Sequence, residues 1–491
     1  MTENAALPGT DNRTDTGTDR SAVLLIGVLL VAAFVVILNE TILSVALPTL
    51  MADLEITAAT AQWLTSGFLL TMAIVIPITG YLMQRFTLRS IYIAAMTLFT
   101  IGTLAAALAP GFELLIVARV VQASGTALMV PLLMTTILNV VPEQNRGRTM
   151  GLVSIVIAVA PAVGPTVSGL ILQSLSWRAM FWIVLPIAIG ALILGGVFVR
   201  NVTERRPAQL DLISVPLSAL GFGGVVYGLS SIGESAGGHA PIPPWVPLVI
   251  GAVALALFVV RQLKLADRGL ALLDLRTFAI APFRLAVVLM AGFMLTLFGA
   301  LILLPLFLQN VMGKDVLTTG LVLLPGGLVM GLLAPFVGAL FDKVGARPLV
   351  LPGTLAVSAG TWLLTTLDAG SSLGMVIAAH VILSAGIAFG LTPLMTSALG
   401  LLSPELYSHG SATVSTIQQV AGAAGTALFI TLMSRGTQSA IDDGVNPLQA
   451  GADGIYLAFV VAACLSLVLI AAAALVRGRT GAPAARAAES A

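Results

Sequence analysis

The stretches GYLMQRFTLR (residues 80–89) and GALFDKVGAR (residues 338–347) are two versions of one decapeptide. Each opens on glycine and carries leucine third, a basic residue sixth and arginine tenth. Each also stands where one long apolar stretch ends and the next begins. A segment repeated at the same point of two hydrophobic blocks makes the chain two related halves.

Composition sets the class around that repeat. The 491 residues are 58% hydrophobic and only 9% charged, with a mean hydropathy of +1.04. One water-soluble core is excluded by those values, and a polytopic membrane protein is expected. A spanning helix needs about 20 apolar residues, because its backbone polar groups find no water in the bilayer. Fourteen such stretches are present, near residues 22–47, 60–83, 90–110, 113–140, 148–173, 178–200, 212–232, 245–264, 282–310, 317–341, 348–367, 373–401, 409–433 and 455–477.

Basic residues accumulate in short cytoplasmic loops, so their placement predicts orientation. An inside N-terminus leaves Arg178, Lys314 and Arg435 outside and Arg119 within the membrane. The other 19 of the 23 Lys and Arg then fall on the cytoplasmic side, and both termini are expected there. The net charge of +1 carries no signal for nucleic acid. Residues 1–20 are polar, without a charged-then-apolar leader, so the first helix is expected to be the anchor. The single cysteine, Cys464, falls in the last apolar helix, where a small packing residue is expected.

The expected organisation is a disordered tail at 1–21, a six-helix bundle at 22–200, a linker at 201–280 holding two inserted helices, a second six-helix bundle at 281–477, and a disordered tail at 478–491. The fold class is therefore an all-α polytopic membrane protein in which six, two and six helices follow one another.

Four signatures carry a family resemblance. The first decapeptide resembles Gly-x-Leu-x-Asp-Arg-x-Gly-Arg through Gly80, Leu82, Arg85 and Arg89, with Gln84 and Thr87 in place of Asp and Gly. The second fits more closely through Gly338, Leu340, Asp342, Lys343, Gly345 and Arg347. In the fourth stretch Arg119, Gln122 and Gly125 resemble Arg-x-x-Gln-Gly-x-Gly, with Ala123 and Ser124 as departures. In the fifth, Gly151, Gly164, Pro165 and Gly169 resemble the motif that marks antiporters, with Ala160 and Ser168 where it prefers glycine. Together these are similar to the major facilitator superfamily, and within it to the fourteen-helix drug:proton antiporters. Leu38–Pro48, LNETILSVALP, resembles the first-helix signature of that group, and Asn-Glu-Thr at its start resembles a lincomycin-resistance-like branch. The resemblance implies a major facilitator fold that moves by alternating access, with stretches 1, 4, 9 and 12 around a central cavity. It also implies a monomer driven by the proton-motive force without a bound cofactor.

Each signature has a physical reading of its own. Ala160, Gly164, Ser168 and Gly169 give one helix a face of small residues, and Pro165 removes a helix hydrogen bond and permits a bend. That pattern suits a moving interface and equally serves static packing. Arg85, Arg89, Lys343 and Arg347 can pair with helix C-termini or acids that separate during a cycle, or can simply hold their loops inside. Gly80, Gly338, Asp342 and Gly345 of the decapeptides, with Gly164, Pro165 and Gly169 of the fifth stretch, complete the expected gating set.

The chemistry centres on Glu40. The family acid stands at the position of Asn39, so here it has moved one residue along, about 100° around a helix. A carboxylate inside the bilayer is costly when ionised. Burial disfavours the charged form, which brings proton exchange within reach of neutral pH. Arg119 is the expected partner, and His380 falls at a similar depth on the twelfth stretch. Glu40, Arg119 and His380 form the expected proton-coupling set, a permanent ion pair at Glu40 being the alternative. His239 and His409 are expected in loops. Asn39, Gln122, Met129, Met290, Phe293, Met294 and Gln309 are the expected substrate contacts, since flexible apolar side chains beside a few polar ones suit bulky amphipathic molecules. One intramembrane acid favours neutral or monocationic compounds.

No Gly-x-x-x-x-Gly-Lys-(Ser/Thr), His-Glu-x-x-His or Cys-x-x-Cys pattern occurs, and the Gly-x-Ser-x-Gly strings at residues 233–237 and 370–374 join apolar helical stretches rather than a strand to a helix, which argues against nucleotide, metal or serine-hydrolase chemistry. The expected function is export of drugs or other amphipathic molecules across a bacterial inner membrane in exchange for protons. The alternatives are a dedicated exporter of a lipid or metabolite and, remotely, a lipid-linked transferase.

Overall fold

The computed structural model describes residues 15–56, 58–201, 211–236 and 242–476. Fourteen long helices occupy them. The first six are α1 Asp15–Asp53, α2 Ala58–Arg85, α3 Leu88–Ala107, α4 Phe112–Val140, α5 Arg146–Leu172 and α6 Trp177–Phe198. Two more follow, α7 Ser214–Ala236 and α8 Trp245–Ala266. The last six are α9 Ala281–Leu306, α10 Val316–Val344, α11 Arg347–Leu364, α12 Leu373–Gly400, α13 Tyr407–Asp442 and α14 Pro447–Ala474. Thirteen of these contain an apolar run long enough to cross a membrane; the other, α11, has 18 residues.

Packing repeats between the halves. The pairs α3–α4, α3–α6, α1–α5 and α2–α4 recur as α11–α12, α11–α14, α9–α13 and α10–α12. One glycine marks the repeat at atomic scale. A Cβ on Gly125 of α4 would run into the Ala95 carbonyl of α3, and one on Gly386 of α12 would run into the Gly353 and Val357 backbone of α11. Both helix pairs therefore meet backbone to backbone, which only glycine allows.

The halves join through two interfaces related by the same repeat, α5–α10 and α2–α13, with α4–α13 and α5–α12 between them. The α7–α8 hairpin is no separate body, because α7 packs on both α2 and α13. Its outer helix α8 buries Gly251, Ala254, Phe258 and Gln262 and turns Val249, Val253, Leu257 and Val260 outward. An apolar outer face on a helix whose inner face holds a glutamine is the pattern a lipid surround demands.

Several expectations change here. Residues 15–21, expected in a disordered tail, are the first turns of α1. Residues 1–14 and 478–491, like His239, lie outside the described residues. Cys464 does not pack inward; it is exposed on α14. His409 is not in a loop but in the first turn of α13, and it is buried.

Candidate functional site

The most deeply buried charge is Arg119, with no exposed surface. Its helix α4 meets α1, α2 and α3, and each of the three contributes to a polar cluster. Arg119 Nη1 donates to Asn39 Oδ1 of α1 at 3.2 Å and to Gln122 Oε1 at 3.1 Å. Gln122 Nε2 donates to Thr103 Oγ1 of α3 at 2.9 Å, and Thr103 passes the chain to the Phe99 carbonyl at 2.7 Å. Arg119 Nε reaches the Leu64 carbonyl of α2 at 3.4 Å, and its Cζ sits 4.0 Å from the Phe68 ring centroid. A guanidinium suits this task because its planar fork reaches several acceptors while its face lies on an aromatic ring. Nη2 has no hydrogen-bond partner.

Glu40 is half-buried beside this cluster, close enough for its charge and that of Arg119 to interact. No ion pair within 4.0 Å joins the two among the described residues. The cause is helix geometry: residues about 100° apart cannot both face α4. Asn39 takes that direction. Thr41 takes the direction of α5, where its hydroxyl lies 3.5 Å from the Ala160 carbonyl and against Gly164. Glu40, between them in sequence, is turned about 100° from each around α1.

His380 stands apart from this group. It is buried between α10 and α12, against Gly326 and the Leu323 backbone, with Nδ1 unpartnered. Of the expected substrate contacts, Asn39 and Gln122 belong to the Arg119 cluster. Met129, Met290, Phe293 and Met294 are buried in the main core, Phe293 against Gly390. Gln309 is exposed on the π-helical turn Phe307–Val311 that ends α9.

The decapeptide members of the gating set lie together at one end of the bundle, here called the basic end, whereas Gly164, Pro165 and Gly169 stand toward the opposite end of α5. Asp342, on the last turn of α10, accepts from the N–H groups of Gly147 at 2.8 Å and Arg148 at 2.9 Å, the second and third residues of α5. Gly147 and Gly338 bring the two backbones into contact there. Gly345, at φ 80°, stops α10 and returns its N–H to the Phe341 carbonyl at 2.8 Å. Arg347 then opens α11, and Lys343 is exposed. In the first copy Arg85 ends α2, and Arg89 holds the Gly196 carbonyl at the end of α6. Gly169 has open space around it, and the side chain of Pro165 lies outside the described set.

Sequence reading missed the counterpart of the Asp342 contact. Gln84 occupies the Asp342 position of the first decapeptide, and its Nε2 lies 2.8 Å from Nε2 of His409 at the start of α13. Gly80 packs on the same imidazole. The repeat itself was the signal: Gln84 stands to α13 as Asp342 stands to α5. Between the two contacts, Ser154 of α5 and Thr392 of α12 share a buried hydrogen bond of 2.8 Å.

Comparison with known proteins places this arrangement. Residues 29–426 match the Major Facilitator Superfamily. The chain is 44% identical to lincomycin resistance protein LmrB of Listeria monocytogenes over 446 residues, covering 89% of this chain and 94% of that one. It is 39% identical to lincomycin resistance protein LmrB of Bacillus subtilis, covering 90% and 92%. Among solved structures it superposes on the human organic anion transporter MFSD10 with a TM-score of 0.67 at 14% identity, over 92% of this chain and 99% of that one. With repeat, packing and similarity in agreement, the chain belongs to the Major Facilitator Superfamily and is a transporter rather than an enzyme.

Proposed function

We propose that the protein exports amphipathic small molecules, neutral or monocationic and with lincosamides among them, in exchange for protons. The observation that carries this reading is the arrangement at Arg119. Its guanidinium is held by the neutral groups Asn39, Gln122 and the Leu64 carbonyl, while Glu40 stands half-buried nearby without an ion pair to it. A permanent Glu–Arg pair would hold the carboxylate ionised. A carboxylate set one helix position away from that pairing can take up a proton and give it back. Substrate entering the same space competes with the proton, and that competition is antiport.

Relatives named for lincomycin resistance support the substrate class. In this reading the protein is a monomer in a bacterial inner membrane, with the basic end and both termini cytoplasmic. Its partners are the bilayer, the proton and the substrate, with no nucleic acid and no cofactor. A proton-motive force of ~150 mV supplies about 3.5 kcal/mol per proton, enough for a substrate gradient of roughly a few hundredfold. Export assays in cells expressing the protein, with and without collapse of the proton gradient, test the reading. Accumulation of labelled lincomycin should rise when the gradient is collapsed; accumulation indifferent to the gradient contradicts it.

A further inference from the structure

The repeat relates two contacts that join the halves at the basic end, and their chemistry differs. Asp342 holds α5 through a fixed charge at a helix N-terminus. Gln84 holds α13 through a neutral amide and an imidazole that is 4% exposed. Histidine changes charge within the physiological pH range, and the fixed contact does not.

His409 is enclosed on every side. Gln84 and Gly80 of α2 cover one face, and Leu272, with its neighbour Leu273, lies in the buried cluster that joins α2, α7 and α13. The imidazole Nδ1 has no hydrogen bond but stands near the Leu272 backbone. Among the described residues, the charged groups acting on it are Asp274 and Arg276. These are paired to each other at 2.6 Å, so neither is a spare countercharge. Gln84 Nε2 also faces the Glu405 carbonyl at 3.5 Å, which favours the amide orientation that donates to the imidazole. A neutral ring accepts that donor. An imidazolium presents N–H on both nitrogens, so at Nε2 it meets the Gln84 donor with a donor, and it is a cation in a pocket closed to solvent.

We infer that His409 is a proton-responsive latch: neutral, it holds α13 to α2 and keeps the basic end closed; protonated, it releases the contact and lets that end hydrate and open. The inference rests on the exchange mechanism proposed above and adds the step that orders it. A transporter that has carried protons inward then opens where substrate must enter. His409 is a positioning residue in that cycle and touches no substrate.

The test reads accessibility rather than transport, so its failure is distinct from failure of the exchange reading. Full-length protein in nanodiscs carries Cys464→Ala and a single reporter, Ala412→Cys. Ala412 is fully buried and packs against the Gly80 position. The rate of modification by a membrane-impermeant maleimide is measured from about pH 8 to about pH 5.5. Dividing it by the rate for the same reporter with His409→Gln removes the pH dependence of the thiol. The ratio should rise about tenfold as pH falls, the change a one-unit difference in proton affinity between closed and open states produces. Gln84→Asp supplies a countercharge, so its rate relative to the Gln84 protein should fall as pH falls. That second ratio carries the test alone if His409→Gln does not fold. A ratio to His409→Gln that stays constant with pH, or a Gln84→Asp protein that opens in acid as readily as its parent, overturns the inference.

Discussion

Asp342 accepts the N–H of Gly147 at 2.8 Å, so a carboxylate on the last turn of α10 caps the first turn of α5 in the other half of the molecule. A helix N-terminus carries partial positive charge, and a carboxylate there contributes about 0.3–2 kcal/mol depending on burial. Parting α5 from α10 breaks this contact, so its energy counts against any such separation.

Asp342→Asn keeps the shape and removes the charge. Spin labels on exposed Arg148 and Lys343 should then show a second, longer distance component. A distribution that does not change would mean the contact is not what holds the end shut.

Moving the acid back to the position that faces Arg119 tests the geometry of the cluster. In Asn39→Asp/Glu40→Gln the new carboxylate replaces the Asn39 oxygen that lies 3.2 Å from Arg119 Nη1. A buried pair at that distance resists protonation. Proton release driven by substrate should persist but shift to lower pH than in the unmodified protein, measured as the pH midpoint of transport. A midpoint that stays in place would show that contact with Arg119 does not tune the acid.

Close backbone packing makes a sharp contrast between glycines. Gly125→Ala puts a methyl into the Ala95 carbonyl, whereas Gly169→Ala meets nothing within 4 Å. The first should cost about 1–3 kcal/mol by overpacking, seen as a lower melting temperature in detergent, and the second should leave melting in place. Equal melting of the two variants would contradict the described α3–α4 contact.

At the basic end of the inserted hairpin, Asp211 bonds Arg261 through both oxygens, at 2.6 and 2.7 Å, and Ser214 joins from the start of α7. Arg261 above all holds the Asp211 carboxyl down at about 2. A group whose proton affinity falls on folding stabilises the folded state above its unfolded pKa of ~3.9, and that stability is lost as pH falls toward the folded value. Thermal melting of the unmodified protein should therefore drop more steeply between about pH 4 and about pH 2 than that of Asp211→Asn. Parallel curves would separate this pair from the stability of the hairpin.

Helix count and register were legible because each span is an apolar run of bilayer length: α4, expected at 113–140, runs from Phe112 to Val140. The ends of α13 were not, since it extends past its apolar run at both sides, from Tyr407 to Asp442. Its inner half turns Ser411, Thr413, Ser415 and Thr416 into the protein, and a polar helix buried against other helices does not announce itself by hydropathy. In the site, Arg119 and Gln122 could be paired from their spacing of three on one helix. The Asn39–Arg119 contact could not, because it depends on the rotation of α1 against α4. His409 and Gln84 are 325 residues apart, and only the folded repeat brings them together.

The central claim is that Glu40 couples proton movement to substrate. Purified protein in liposomes with an internal pH dye, challenged with lincomycin under an imposed proton gradient, tests it most directly. Proton flux that depends on lincomycin in the unmodified protein and disappears in Glu40→Gln is the expected result. Substrate-dependent flux that survives Glu40→Gln would contradict the account and place coupling at another group.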